Sequence, residues 1–142
     1  MNQPKISLDT NVFIFGLRKL DQYAMLILKH LFRFEVSLPE QVERELRRNL
    51  AASEFRRFYE LIGMLPSFSV AYQPVHDDIL RLYRGFGLKT GDAKIAAFCE
   101  QEGIELFVSE NRHFLRELPE RSFEIVDCQT FCQRFGLTDH KK

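Results

Sequence analysis

The 142-residue sequence contains no tryptophan, three cysteines, five prolines and seven glycines, and its 20 lysines and arginines are matched by 20 aspartates and glutamates. Each shortage excludes something. Three cysteines, Cys99, Cys128 and Cys132, cannot all pair within one chain, and no second Cys or His pair stands at zinc-site spacing. They read as small buried apolar residues. Sparse proline and glycine leave no linker that would divide the chain, and no repeat interrupts it. One domain over residues 1–136 with a frayed polar tail at 137–142 is the expected organisation. The longest apolar run, at residues 24–28, is far too short to span a bilayer, so no membrane partner is expected. Residues 1–5 lack the apolar centre and cleavage site of a signal peptide, which makes the cytoplasm the expected location. Zero net charge removes any global basic field, and a nucleic-acid partner would have to be held by a local patch.

What is present is an alternation of short apolar strands and amphipathic helices. Strands are expected at residues 5–8, 35–38, 68–72, 105–109 and 123–126. Helices are expected at 21–34, from Pro39 to about 50, and at 53–64, 75–84, 92–101, 112–118 and 127–135. Val42, Leu46 and Leu50 form one core stripe, and Phe55, Phe58, Tyr59 and Ile62 another. Strands separated by helices call for a parallel sheet, because parallel neighbours need a crossover that is usually helical. The expected fold is α/β, a three-layer α/β/α sandwich around a central parallel sheet of four to five strands. Ligands of such sheets bind outside the carboxyl ends of the strands, so polar residues just after strands are the ones to collect.

Residues 6–11 read Ile-Ser-Leu-Asp-Thr-Asn, an apolar strand that ends in a carboxylate, a hydroxyl and an amide. Hard oxygen groups at a strand end suit a divalent cation or a phosphate. Taken alone, Asp9 and Asn11 suit an ordinary Asx turn better. Ser109, Glu110, Asn111 and His113 follow the fourth strand. Thr90, Gly91 and Asp92 open a helix, with Thr90 placed to cap it and Gly91 to let a ligand approach the backbone. Asp92 shares a helical face with Ile95, Ala96 and Cys99, which aims its carboxylate inward, and an inward acid needs a partner. The helix after Pro39 offers Glu40, Glu43 and Glu45. Glu40 and Glu43 each precede an arginine by four, the spacing of exposed ion pairs with Arg44 and Arg47. Glu45 has Asn49 there instead, and that freedom favours Glu45 over Glu43.

The Leu-Asp-Thr-Asn-Val opening, the Pro-x-x-Val-x-x-Glu-Leu helix, Thr-Gly-Asp-Ala, and Val-Ser-Glu-Asn-Arg-His-Phe occur in an order that resembles the PIN domain family, the fold of many bacterial VapC-type toxin ribonucleases. The resemblance covers about residues 5–135. It implies that Asp9, Glu45 and Asp92 occupy acidic positions binding Mg²⁺, with Mn²⁺ an alternative, and that Asn11 stands beside them. Ser109, Asn111, His113 and Phe114 occupy the places of a late Thr-x-Asp-x-Asp-Phe motif. Asn111 there removes a formal charge, for which Glu110 is placed to compensate. The implied catalytic set is Asp9, Glu45, Asp92 and Asn111, with Asn11, Ser109, Arg112 and His113 orienting substrate or water. The implied activity is hydrolysis of RNA by a metal-dependent endoribonuclease, as the toxin of a type II toxin-antitoxin pair. Family members often form homodimers and are inhibited by a cognate antitoxin protein. The alternative is a catalytically inactive module of the same fold that binds RNA or protein.

Overall fold

In a computed structural model, which describes residues 3–116, 118 and 121–139, five strands form one parallel sheet. They are β1 (Lys5–Leu8), β2 (Glu35–Pro39), β3 (Phe68–Ala71), β4 (Leu106–Val108) and β5 (Glu124–Val126), in the spatial order β3-β2-β1-β4-β5. Helices α1 (Thr10–Leu17), α2 (Gln22–Lys29), α3 (Glu40–Asn49), α4 (Ala52–Gly63), α5 (Asp77–Gly85), α6 (Thr90–Gln101), α7 (Arg112–Arg116) and α8 (Cys128–Phe135) flank it. This is the expected α/β/α sandwich. The strands are short and almost continuously apolar because a parallel sheet is covered on both faces. Ile6, Leu8, Val36, Leu38, Phe107 and Val108 are completely buried. Among the described residues no helix is long and apolar enough to cross a membrane.

Three aspartates start helices by the same device: Asp9, Asp21 and Asp127 lie in extended backbone and their carboxylates accept from the first amides of α1, α2 and α8. Helix α1 has no counterpart in the sequence expectation, which placed no element between residues 8 and 21. Its residues Thr10, Val12, Phe13, Ile14 and Gly16 are all buried. The expected 21–34 helix divides, α2 ending at Lys29 and a 3-10 turn following at Leu31–Arg33. Of the expected 112–118 helix, Arg112–Arg116 is helical and Leu118 is not, while residue 117 lies outside the described residues.

Gly16 permits the close crossing of α1 and α2. A Cβ built there would lie 2.5 Å from Leu28 Cδ1 and 3.1 Å from the Ala24 carbonyl oxygen. Overpacking of this kind costs ~1–3 kcal/mol, so Gly16→Ala is expected to lower the free energy of unfolding measured in urea by that amount despite the better helix propensity of alanine.

The tail is a correction. Leu137 is 4% exposed, the Leu137 amide donates to the Cys132 carbonyl, His30 Nε2 lies 3.2 Å from the Thr138 carbonyl oxygen, and Asp139 pairs with Lys29. An apolar residue just past the left-handed Gly136 folds back onto the core, so residues 137–139 are packed rather than frayed. Residues 140–142 lie outside the described residues. Cys99, Cys128 and Cys132 are free and buried.

Candidate functional site

The chain builds the sheet outward from β1 through β2 to β3, then returns to place β4 and β5 on the other side of β1. The order reverses between β1 and β4, and the crevice at such a reversal, outside the carboxyl ends of the strands, is where open α/β sheets bind ligands. Asp9 leaves β1 and Ser109 leaves β4 at this point. The Asp9 amide donates to the Val108 carbonyl (2.9 Å), and the Ser109 hydroxyl donates to Asp9 Oδ2 (2.7 Å). Asp9 Oδ1 accepts from the Thr10 amide (2.8 Å). Both carboxylate oxygens are thus held by the two central strands.

Helix α3 supplies the second acid. Glu45 accepts from the Thr10 hydroxyl at Oε1 (2.5 Å) and from Gln41 Nε2 at Oε2 (2.9 Å). The third, Asp92, stands in the first turn of α6 and accepts a long bond from Asn111 Nδ2 (3.4 Å). Asn111 is fixed in turn: the Asn111 amide donates to Ser109 Oγ (2.9 Å), and Asn111 Oδ1 accepts from the His113 amide (2.9 Å). Gly91 lets α6 approach α3. A Cβ there would stand 3.2 Å from Gln41 Nε2 and 3.3 Å from Glu45 Oε2. What the missing side chain at position 91 admits is this pair of residues, not the ligand expected from sequence.

Of the three acids, gathered from three elements, Asp9 and Asp92 are shifted by burial and by the charges beside them. Burial is the main cause that raises the Asp9 carboxyl to about 6, the bonds from Ser109 and Thr10 oppose it, and the charges of Asp92 and Glu45 add to it. Asp92 is raised as well, first by burial and then by Glu45, while Asn111, His113 and Lys89 pull the other way. Removing the hydroxyl in Ser109→Ala is expected to push the Asp9 titration still higher, which a carboxyl-carbon NMR titration of metal-free protein reads directly.

The profile of the PIN domain family matches residues 6–118 of this chain, which contain every residue of the crevice. The chain belongs to the PIN domain family. A comparison with curated protein sequences finds no significant match. Among solved structures, DNA-bound VapBC from Salmonella typhimurium is similar at a TM-score of 0.62 and 19% identity, covering 88% of this chain and 98% of that one. VapBC2 from Rickettsia felis, bound to a DNA fragment from its promoter, aligns at 0.58 and 15% identity, covering 87% and 98%. PAE2754 from Pyrobaculum aerophilum aligns at 0.61 and 18% identity, covering 95% and 97%.

Within this PIN domain the donors around the crevice are all oxygen atoms or amides, the set that Mg²⁺ and Mn²⁺ prefer. Among the described residues no three acidic, histidine or cysteine side chains converge closely enough to form a ready-made ligand cage. The acids feel each other's charge without closing on a common point, an arrangement that fits an ion retaining several of its own waters, as Mg²⁺ usually does. The donor set therefore fits a hydrated hard cation.

The other sequence candidates are placed less centrally. Asn11 is exposed on the first turn of α1, and no hydrogen bond ties its side chain to the acids among the described residues. Arg112 and His113 are exposed at the start of α7, and the charge of His113 bears on Asp92. Glu110 does not compensate for Asn111: Glu110 Oε2 accepts from the Cys128 amide (2.7 Å) at the start of α8. Thr90 is the first residue of α6 rather than its cap, which is Lys89, and the Thr90 hydroxyl accepts from Arg84. Glu40 pairs with Arg44 at 3.1 Å as its spacing suggests. Glu43 does not pair with Arg47. It is 7% exposed and accepts from the Tyr59 and Tyr72 hydroxyls, while Arg47 lies over the Phe55 ring at 4.7 Å. Gln41 was not singled out from sequence, although its place four residues before Glu45, with an amide able to reach a carboxylate one turn on, is a usable signal.

Proposed function

We propose that this PIN domain is a metal-dependent endoribonuclease that hydrolyses RNA phosphodiester bonds, and that it is the toxin of a type II toxin-antitoxin pair. The observation that carries the enzymatic reading is the coupling of Asp9, Glu45 and Asp92 in the crevice at the strand-order reversal. Asp9 and Asp92, both held above the ordinary carboxylate range by burial and by neighbouring acids, with no cationic side chain hydrogen-bonded to them among the described residues, favour an added cation. Asp9, Glu45 and Asp92 would hold Mg²⁺ or Mn²⁺, directly or through water. Bound there, the ion would supply positive charge to the attacking and leaving oxygens of an in-line hydrolysis.

The residues around it have separate tasks. Ser109 and the Thr10 amide hold Asp9 in one orientation, and Thr10 with Gln41 does the same for Glu45. Asn111 steadies Asp92 and, with Asn11, offers polar groups to water or phosphate, whereas Ser109, expected from sequence to join them, is completely buried and serves Asp9 instead. Arg112 and His113 are placed to meet the sugar-phosphate backbone, which gives register rather than sequence choice. The structural likeness to toxin-antitoxin complexes supports a cognate antitoxin protein as partner. Leu20, Phe32 and Met64, 67%, 53% and 83% exposed, supply apolar surface for that contact or for a homodimer. The proposed location is the cytoplasm.

The test is cleavage of a mixed-sequence RNA pool with Mg²⁺ or Mn²⁺, in wild type and in Asp92→Asn and Glu45→Gln. The expected result is cleavage by wild type that EDTA abolishes and both substitutions remove. Cleavage that survives both would sink this mechanism. Binding of RNA or protein without any cleavage would favour the non-cleaving module that Asn111 allows.

A further inference from the structure

The carboxyl edge of the sheet carries a second concavity, beside the acidic crevice. It is a cavity of about 300 Å³ beyond the ends of β2 and β3, lined by Tyr72, Gln73, Gln41, Arg44, Lys94 and Phe98 among others. Gln41 belongs to both places, since it lines the cavity and donates to Glu45. The two sites are therefore adjacent along one edge, separated by a single side chain.

We infer that this cavity is a nucleobase subsite, which receives one base of single-stranded RNA next to the phosphate held at the acidic crevice. The inference rests on the ribonuclease reading for the identity of the polymer and goes beyond it by assigning the cavity. Tyr72 is 60% exposed, yet its hydroxyl donates to both oxygens of buried Glu43, at 3.0 and 3.1 Å. A ring anchored at its far end and open to solvent is a ready stacking platform, and it loses little freedom when a base settles on it. Phe98 gives an apolar floor, and the amides of Gln41 and Gln73 match the donor and acceptor edges of a base. Charge argues for a base over a phosphate: Arg44 and Lys94 in the lining are balanced by Glu40 and Asp77, so the cavity has no net attraction for an anion. The volume is ample for a purine.

The experiment is an abasic walk performed with Ca²⁺ in place of Mg²⁺, which keeps a cation between the acids and the phosphate, and strand integrity is checked on a gel so that its outcome is independent of cleavage. A fluorescent single-stranded oligoribonucleotide is compared with versions that carry one abasic nucleotide at each successive position, and affinity is read by anisotropy. For wild type, one position is expected to weaken binding by about tenfold, the scale of one base stacked on an aromatic ring. In Tyr72→Leu the intact strand is expected to bind about tenfold more weakly, with the abasic penalty at that position gone. Tyr72→Phe keeps the ring and is expected to keep the penalty, and thermal unfolding of both variants controls for loss of the Glu43 contact. A flat walk, no RNA binding, or a penalty that persists in Tyr72→Leu would overturn the inference. So would a Tyr72→Leu protein that binds RNA normally but loses a protein partner. RNA cleavage in Mg²⁺ together with a flat walk would remove the subsite and leave the ribonuclease reading intact.

Discussion

Asp9→Asn is expected to lower RNA cleavage about a thousandfold while making the metal-free protein more stable at pH 7. The loss follows from removing a proposed ligand at the reaction centre, where a cation is worth several kcal/mol of transition-state stabilisation. The gain follows from burial. Asp9 is 6% exposed and its carboxyl is raised to about 6 from an ordinary 3.8, so the folded protein holds a proton that the unfolded chain releases. Stability from such a group is fully present below the unfolded value and declines as pH rises through the folded one. A rise of about two pH units in the carboxyl corresponds to ~3 kcal/mol lost in wild type between about pH 4 and pH 6. Asparagine carries no charge to desolvate. The Asn oxygen can still accept from the Thr10 amide, and its NH₂ can donate to Ser109 Oγ, which has a lone pair to spare. A net gain of roughly 1–3 kcal/mol is expected after the weaker neutral hydrogen bonds are counted. Urea unfolding in EDTA at pH 5 and pH 7.5 checks it: wild type should lose more stability between the two than Asp9→Asn, which keeps only the loss that belongs to Asp92. Equal losses in both proteins would mean that Asp9 is not the strained group.

Magnesium is expected to return what the buried charges take away. At a hundred times its dissociation constant, a ligand that binds only the folded state stabilises it by about 2.7 kcal/mol. Wild type should therefore show a clear rise in Tm on addition of Mg²⁺ or Mn²⁺ at pH 7.5. The rise should shrink toward pH 5, because protonated Asp9 and Asp92 compete with the cation, and Asp9→Asn should show almost none. Sodium chloride at equal ionic strength separates site binding from general screening of surface charge. An equal rise in wild type and Asp9→Asn would place any bound ion elsewhere.

The strands and the strand-end residues were legible in the sequence because both follow from local pattern. Short apolar runs announce buried parallel strands, and a polar residue directly after such a run lies at the carboxyl edge by construction. Helix α1 was not legible. Thr-Asn-Val-Phe-Ile-Phe-Gly-Leu is apolar on almost every side, so it shows no 3.6-residue alternation, and its polar start imitates a turn. Glu43 misled for a different reason. The four-residue ion-pair rule assumes solvent on that face, whereas Tyr59 and Tyr72, 16 and 29 residues away, cover it. Glu110 lies next to the crevice in sequence but turns toward α8, since adjacent residues in a loop point in different directions. Only tertiary contacts decide such cases.

The central place of β1 has a consequence for biosynthesis. Strand β1 cannot complete its pairing until β4 has been made, about a hundred residues later. Asp9 and Glu45 are likewise made well before Asp92, Ser109 and Asn111. A nascent chain therefore carries an incomplete crevice beside messenger and ribosomal RNA until residue 111 has been added.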